Sequence, residues 1–282
     1  MTVATPAVPP AAAARVSAPT PAGTAVPAGR PRAFRRIEHI MGTAITVDVR
    51  EGDVEPGDLD AAFTHLREVD ARFSTYRPDS EISRLHRGEI REHECSPEVR
   101  RVLALCDDLH RTSGGFFDAR GYRTDGAPDP TGVVKGWAVE EAAWMVAEAG
   151  ARRFAINAGG DIVVRGGVSP DKPWRVGIRH PHRPDRVAAV IGLRDVAIAT
   201  SGAYERGEHI VDPHTRRPPR ELLSVSVIGP SLTYADAYAT AAFAMGPDGL
   251  PWVASHPGYG AFAITAGERV VWTAVVDPLL AR

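Results

Sequence analysis

The chain has 282 residues, 44% of them hydrophobic and 24% charged, with a formal net charge of -2. This is the composition of a globular protein with a sizeable core, and its balanced charge gives no reason to expect nucleic acid or an anionic membrane surface as a partner. Two cysteines are too few for a disulfide framework, and no stretch approaches the ~20 apolar residues of a membrane span.

Residues 1–33 differ in kind from the rest. They are rich in Ala and Pro and carry no aromatic side chain. Such a segment cannot bury enough apolar surface to offset the entropy lost on ordering, so we expect a disordered tail. Prolines interrupt every apolar run, and Arg15 stands where the apolar centre of a signal peptide would lie. The sequence therefore predicts a cytoplasmic protein with a single domain over residues 34–282.

The first half of that domain reads as one strand followed by three helices. Alternating apolar residues predict a strand over 43–50. Helices are predicted with Asp58 as N-cap and with Ser96 as N-cap, and a third runs over 136–149 until Gly150 ends it. The stretch 74–85 is polar and reads as turns.

The second half reads as strands with one helix among them. Apolar patterns predict strands over 153–157, 161–165, 174–179, 187–193, 196–200, 222–228, 261–265 and 270–275. The helix covers 233–246. Many strands in sequence, with the helices gathered mainly in the N-terminal half, predict an α+β fold with a largely antiparallel sheet.

The helix over 233–246 carries the first candidate site. Asp236 and Thr240 stand four residues apart and therefore share one helix face, one turn apart. Carboxylate and hydroxyl oxygens suit Mg²⁺, which keeps most of its water and leans on a substrate phosphate. Taken alone, such a pair is more often a solvated face or a local hydrogen bond.

Four glycine-containing loops are further candidates. In 129–136, Gly132 permits close approach of the backbone and Lys135 adds a positive charge at a helix N-terminus, where anions bind; an ordinary loop is an equally good interpretation. The stretch 200–206 places Ser201 and Gly202 after a strand, as in a nest for a flat polar ligand. The other two loops are weaker candidates for ligand-binding sites.

The sequence NAGGD at 157–161 fits a plain hairpin turn better than a ligand loop. In 209–215, His209 has Asp212 close in sequence and so could act as a general base with a carboxylate nearby. A lone histidine at the start of a strand is more often structural.

The order and wording of these segments resemble a known family. The series MGT (41–43), STY…SEISRL (74–85), SGGFFD (113–118), DPTGVVKG (129–136), NAGGD (157–161), TSGAYER…HIVDP (200–213) and ADAYAT (235–240) resembles the ApbE family, the FAD:protein FMN transferases. The resemblance runs from about Met41 to Gly246.

The resemblance implies an Mg²⁺-dependent enzyme that cleaves FAD at its diphosphate, moves FMN onto a Thr or Ser hydroxyl of an acceptor protein and releases AMP. It implies that Asp236, Thr240 and the backbone oxygen of Gly132 hold the metal, and that His209 is the base. The residues it implies as FAD contacts are Met41, Tyr76, Phe116, Phe117, Asp118, Asp129, Lys135 and Ile210.

Two segments depart from the family pattern. The stretch between Asp118 and Asp129 is shorter than usual, and DPHTRRP (212–218) replaces the usual DP-x-TG and so lacks its glycine. These departures leave an alternative open, in which the protein binds FAD or hydrolyses its diphosphate without transferring FMN to an acceptor.

Overall fold

A computed structural model of the chain describes residues 33–120, 128–202 and 210–281. Its strands are β1 (Phe34–Ile40), β2 (Thr43–Gly52), β3 (Ala151–Ala158), β4 (Asp161–Arg165), β5 (Trp174–His180), β6 (Arg183–Leu193), β7 (Ala197–Gly202), β8 (Leu222–Gly229), β9 (Gly260–Thr265) and β10 (Val270–Trp272). Its α-helices are α1 (Asp60–Phe73), α2 (Glu81–His86), α3 (Pro97–Thr112), α4 (Thr131–Glu148), α5 (Leu232–Met245) and α6 (Gly249–Ala254).

Eight strands form one sheet in the order β1-β2-β3-β4-β7-β8-β9-β10, and β5 pairs with β6 as a separate hairpin. Each of these strand pairs is antiparallel. This confirms the predicted α+β class with an antiparallel sheet. None of the helices in the described part of the chain is long and apolar enough to cross a membrane.

The middle of the large sheet is buried on both faces, and the alternation along β4 shows how. Val163 points into the core shared with the helices, whereas Ile162 and Val164 point into a second core shared with the β5–β6 hairpin. Successive side chains of a strand face opposite sides, so a central strand between two layers must be apolar at nearly every position. The sheet therefore holds α4 and α5 against one face and the hairpin against the other.

The helix α5 lies almost entirely in the core. Its many alanines are buried, and apolar residues surround it, as expected for a helix enclosed by protein. Ser231 caps its first turn by accepting the N–H of Tyr234. It ends at Gly246, which has a φ of 66° and so takes the left-handed conformation that glycine adopts at low cost.

Several element boundaries differ from the sequence prediction. The helix α4 begins at Thr131 rather than 136, so Gly132 and Lys135 lie inside its first turns and not in a preceding loop. The stretch read as turns contains α2, which Ser80 caps. The strand β1 was not predicted, and the strand predicted over 270–275 ends at Trp272.

The predicted N-cap at Asp58 is also wrong. A 3-10 turn over Pro56–Leu59 precedes α1. The Asp58 carboxylate accepts the backbone N–H of Glu55 at 2.8 Å, which puts Asp58 at position N3 of a capping box whose N-cap is Glu55. The predicted glycine stop at Gly150, with a φ of 112°, is confirmed.

Candidate active site

A cleft of about 120 Å³ opens where the first turns of α4 meet α5 and the end of β7. We call it the α4–α5 cleft. The site residues predicted from the sequence that line it are Phe116, Phe117, Asp118, Asp129, Gly132, Lys135, Ser201, Gly202, Ile210, Asp236 and Thr240. Residues more than 100 positions apart in sequence thus meet at one place. His209 lies outside the described residues.

The carboxylate of Asp236 is held by α4. Its Oδ2 accepts the backbone N–H of Gly136 at 2.9 Å, and Asp236 is buried, with 6% of its surface exposed. A Cβ at position 136 would lie 2.7 Å from both the Asp236 Cβ and the Leu232 carbonyl oxygen. Glycine at 136 is therefore what allows the two helices to approach closely enough for this bond.

Thr240 lies one turn further along the same face of α5. Its Oγ1 is 3.3 Å from the Oγ of Ser201 at the end of β7. A Cβ at position 132 would lie 3.6 Å from the Thr240 methyl group and 3.2 Å from the Phe117 ring. The backbone of Gly132 therefore faces Thr240 across a narrow gap, and Asp236, Thr240 and Gly132 share the cleft.

Glu140 fixes the start of α5 from the side of α4. Its Oε2 accepts the Ser231 hydroxyl at 2.7 Å and the Thr233 backbone N–H at 3.1 Å. A carboxylate is favourable at a helix N-terminus, where backbone N–H groups lack partners inside the helix. Gly132, Gly136 and Glu140 recur every four residues, so one face of α4 sets the position of α5.

Lys135 forms an ion pair across the base of the cleft. Its Nζ lies 2.6 Å from Oδ2 of Asp161, whose side chain is 2% exposed, against 23% for Lys135. The other oxygen, Oδ1, accepts the backbone N–H of Thr200 at 3.2 Å. Asp161 thus ties α4 to the end of β7.

The loop NAGGD places Asp161 by means of its turn. Gly159 and Gly160 have φ values of 62° and 101° and form a two-residue connection between Ala158 and Asp161, which pair across the hairpin. Two positive φ values in succession are the signature of a type I′ turn. The hairpin interpretation is therefore right, and the turn delivers a carboxylate to the cleft.

An aromatic wall closes the cleft opposite α5. The Ser113 hydroxyl accepts the backbone N–H of Phe117 at 2.8 Å, and the Phe116 ring meets His214 edge-on with centroids 4.6 Å apart. The backbone N–H of Asp129 donates to the carbonyl of Ala119 at 2.6 Å. This last hydrogen bond joins the two ends of the short segment between Asp118 and Asp129.

Two further hollows adjoin the α4–α5 cleft. One of about 620 Å³ is lined by Met41, Tyr76 and Val134 among others, and we call it the Met41 cleft. The other, of about 750 Å³, runs beside residues 175–179 and is called the β5 groove. Lys135 lines all three hollows, so its side chain lies between them.

The segment DPHTRRP keeps its turn without a glycine. The N–H of Arg216 donates to the Asp212 carbonyl at 2.7 Å, and the N–H of Asp212 donates to the Arg217 carbonyl at 2.9 Å. Arg216 stands where the family pattern has glycine, and its φ is 56°. This left-handed conformation costs a non-glycine residue about 1–2 kcal/mol.

The described cleft-lining groups at the contact between α4 and α5 that could bind a metal include a single carboxylate, that of Asp236. Within the described ranges, no group of three His, Cys, Asp or Glu side chains could hold a metal ion. Where α4 meets α5 in the cleft, Asp236, Thr240 and Gly132 bring together one carboxylate, one hydroxyl and a backbone carbonyl, a set that suits Mg²⁺ sharing its shell with phosphate oxygens. Sequence reasoning missed the roles of Gly136, Glu140 and Asp161; Gly136 and Asp161 lay in motifs that drew notice, whereas Glu140 did not.

The part of the chain that contains these segments is also the part that resembles known proteins. The sequence profile of the ApbE family matches residues 41–124 and 123–263. An Escherichia coli K12 protein named FAD:protein FMN transferase is 33% identical over 147 residues, which cover 49% of this chain and 42% of that protein. The chain thus spans less than half of that relative's length. A protein of the same name from Vibrio cholerae is 28% identical over 239 residues and is covered to 72%.

The fold agrees with solved structures. The crystal structure of the ApbE protein from Thermotoga maritima superposes with a TM-score of 0.78 at 22% identity, covering 89% of this chain and all of that one. The chain belongs to the ApbE family.

Proposed function

We propose that this protein transfers FMN from FAD onto a Thr or Ser hydroxyl of an acceptor protein and releases AMP. The observation that carries the proposal is the meeting of Asp236, Thr240 and Gly132 in a cleft walled by phenylalanines. Two relatives with 28–33% sequence identity are named FAD:protein FMN transferase, which supports FAD as the donor and a protein as the acceptor. Phosphoryl transfer needs positioning and charge neutralisation more than covalent chemistry, and this cleft offers groups for both.

Mg²⁺ would be held by a carboxylate oxygen of Asp236, the hydroxyl of Thr240 and the backbone oxygen of Gly132. The residues fit this role. The Gly136 N–H donates to Asp236, and a backbone carbonyl has two lone pairs, so the Gly132 oxygen can accept a metal ion even while it takes part in the helix. When bound, the metal supplies charge neutralisation at the diphosphate oxygens.

FAD is long enough to need more than the α4–α5 cleft. We place one ring system against Phe116 and the other in the Met41 cleft, where Tyr76 is 94% exposed and available for stacking. The diphosphate then passes Lys135, whose ammonium group lies beside both hollows. Asp161 restrains that ammonium group and thereby orients it.

The chemical step balances without a further reactant. The acceptor hydroxyl oxygen forms a bond to the FMN-side phosphorus, the bond from that phosphorus to the bridging oxygen breaks, and AMP leaves with that oxygen. The hydroxyl proton passes to a base. We propose His209 for this role on its match to the family pattern alone.

One assay separates this function from its alternatives. The purified protein is incubated with FAD, Mg²⁺ and Thr- or Ser-containing acceptors, while AMP release and acceptor mass are followed. Transfer predicts AMP and flavinylated acceptor in equal amounts. AMP without a modified acceptor would indicate a diphosphate hydrolase, and FAD binding without turnover would indicate a flavin-binding protein. No FAD binding would refute all three.

A further inference from the structure

The β5 groove runs along the edge of a strand. Five consecutive residues of β5, Arg175–Arg179, line it. Successive side chains of a strand point to opposite faces, so a hollow that touches five in a row follows the strand edge and not one face. On its other edge β5 pairs with β6. In the described ranges, no strand pairs with the groove-side edge.

The two outer edges of the β5–β6 hairpin differ in what covers them. The outer edge of β6 is covered by the C-terminal residues: Leu280 forms a bridge with Ile191, and the N–H of Ala281 donates to the Val190 carbonyl at 2.8 Å. An open strand edge presents unpaired N–H and C=O groups. Extended peptides bind such edges by adding a strand, with main-chain hydrogen bonds giving affinity.

The charge of the groove indicates what it would bind. Of the basic residues that line it, Lys135 is paired with Asp161, and Arg175 and Arg179 lie on β5 itself; no carboxylate is among its described lining residues. Arg175 and Arg179 are four positions apart on one strand and so face the same side, with Gly177 between them. Acidic side chains complement such a row, since complementary charge selects partners across an interface.

The groove also leads to the reaction site. Thr200 and Lys135 line both the β5 groove and the α4–α5 cleft. Of the residues expected to contact FAD, Lys135 alone lines the groove, so FAD in the other two hollows leaves most of the groove open to a second substrate.

We propose that the β5 groove binds an extended acidic segment of the acceptor polypeptide as an added strand along β5, presenting its Thr or Ser to the α4–α5 cleft past Thr200. This inference rests on the transferase function proposed above. It assigns the acceptor's chemistry: an exposed, acidic, strand-forming segment around the modified hydroxyl.

The test uses two synthetic peptides of equal length with one central Thr, flanked either by Asp and Glu or by Lys and Arg. With FAD and Mg²⁺, the wild-type protein should flavinylate the acidic peptide with a kcat/KM at least about tenfold higher. Arg175→Glu should reduce or reverse this preference without changing FAD affinity. Arg186→Glu, an equal charge change on exposed β6 outside the groove lining, should behave as wild type.

A second readout does not depend on turnover. Amide hydrogen exchange with the acidic peptide present should slow over β5 (174–180) and stay unchanged at β10, an edge strand of the large sheet. Equal use of both peptides, an unchanged preference in Arg175→Glu, or no protection of β5 would each overturn the inference. If the wild-type protein does not bind FAD, that result counts against the proposed function. Protection of β5 by the acidic peptide would still test whether the groove binds the peptide.

Discussion

The Nζ of Lys135 lies 2.6 Å from Oδ2 of Asp161, which joins the second turn of α4 to the turn between β3 and β4. Asp161 is the more buried partner, and its other oxygen accepts the Thr200 backbone N–H. The pair therefore fixes the one ammonium group that faces all three described hollows, and it fixes the end of β7 at the same time.

This pairing predicts an asymmetry between two conservative changes. Lys135→Gln leaves a buried carboxylate without its cation and should lower the free energy of unfolding by about 3 kcal/mol. Asp161→Asn keeps an oxygen for the Thr200 N–H and strands a partly exposed ammonium group, so it should cost about 1 kcal/mol. Urea denaturation of both variants measures the difference. Equal losses would show that burial does not set the energetics of this pair.

Gly136→Ala tests the contact between α4 and α5. Alanine is the better helix former by about 1 kcal/mol, but its Cβ would lie 2.7 Å from the Asp236 Cβ and from a backbone oxygen. We expect a net loss of about 1–3 kcal/mol of stability together with loss of FMN transfer. Gly57→Ala is the matched control, because a Cβ at 57 meets nothing within 4 Å. A stabilised, active Gly136→Ala protein would contradict the described packing.

Arg216→Gly tests the turn that lacks the family's glycine. Arg216 has a φ of 56°, so glycine should relieve strain worth about 1–2 kcal/mol, offset by about 0.5–1 kcal/mol of extra chain entropy. Guanidinium denaturation should show a small gain in stability. Arg217→Gly, next to it and without a positive φ, should lose stability instead. Loss in both would mean that the Arg216 side chain stabilises the turn.

His65 predicts a pH dependence of stability. It packs edge-on against Trp137, with its Nε2 3.6 Å from a carboxylate oxygen of Glu141. Burial lowers the pKa of His65 below its ordinary 6.5, although the Glu141 charge opposes this shift. The unfolded chain then binds the proton more readily than the folded one, so stability falls as pH drops below about 6.5 and stops falling below the folded pKa.

Thermal unfolding between pH 5 and 8 measures this effect. His65→Gln removes the titrating group, so its Tm should fall less than that of the wild-type protein over the same range. His93→Gln, an exposed substitution, serves as the control and should follow the wild-type curve. Parallel curves for wild type and His65→Gln would show that His65 does not carry the acid sensitivity.

The sequence predicts the parts of this fold that depend on local periodicity. The 3.6-residue repeat of a helix places Asp236 and Thr240 on one face, and this holds because α5 is a regular helix. Paired glycines correctly predict the turn before Asp161. The start of α4 was misplaced because proline and glycine at 130 and 132 resemble a loop, whereas tertiary contacts with α5 keep Gly132 helical.

The remaining features depend on contacts that no local pattern encodes. Lys135 and Asp161 are ordinary charges in the sequence, and their pairing follows from how α4 crosses the β3–β4 hairpin. In the sequence, Glu140 resembles a surface residue of α4. In the structure α5 packs against it, and its carboxylate accepts the Thr233 N–H at the start of α5. The position of the β5–β6 hairpin on the far sheet face, and hence the β5 groove, likewise depends on the packing of two layers.

The central claim is that Asp236 supplies the carboxylate of a Mg²⁺ site that drives FAD cleavage. Asp236→Asn tests it most directly, because asparagine keeps an oxygen for the Gly136 N–H and so preserves the helix contact, which an alanine would lose. AMP release from FAD is measured over a Mg²⁺ titration, with Tm as the check on folding. We predict a folded variant with unchanged Tm whose AMP release is abolished at ordinary Mg²⁺. Wild-type AMP release at ordinary Mg²⁺ in this variant would contradict the assignment.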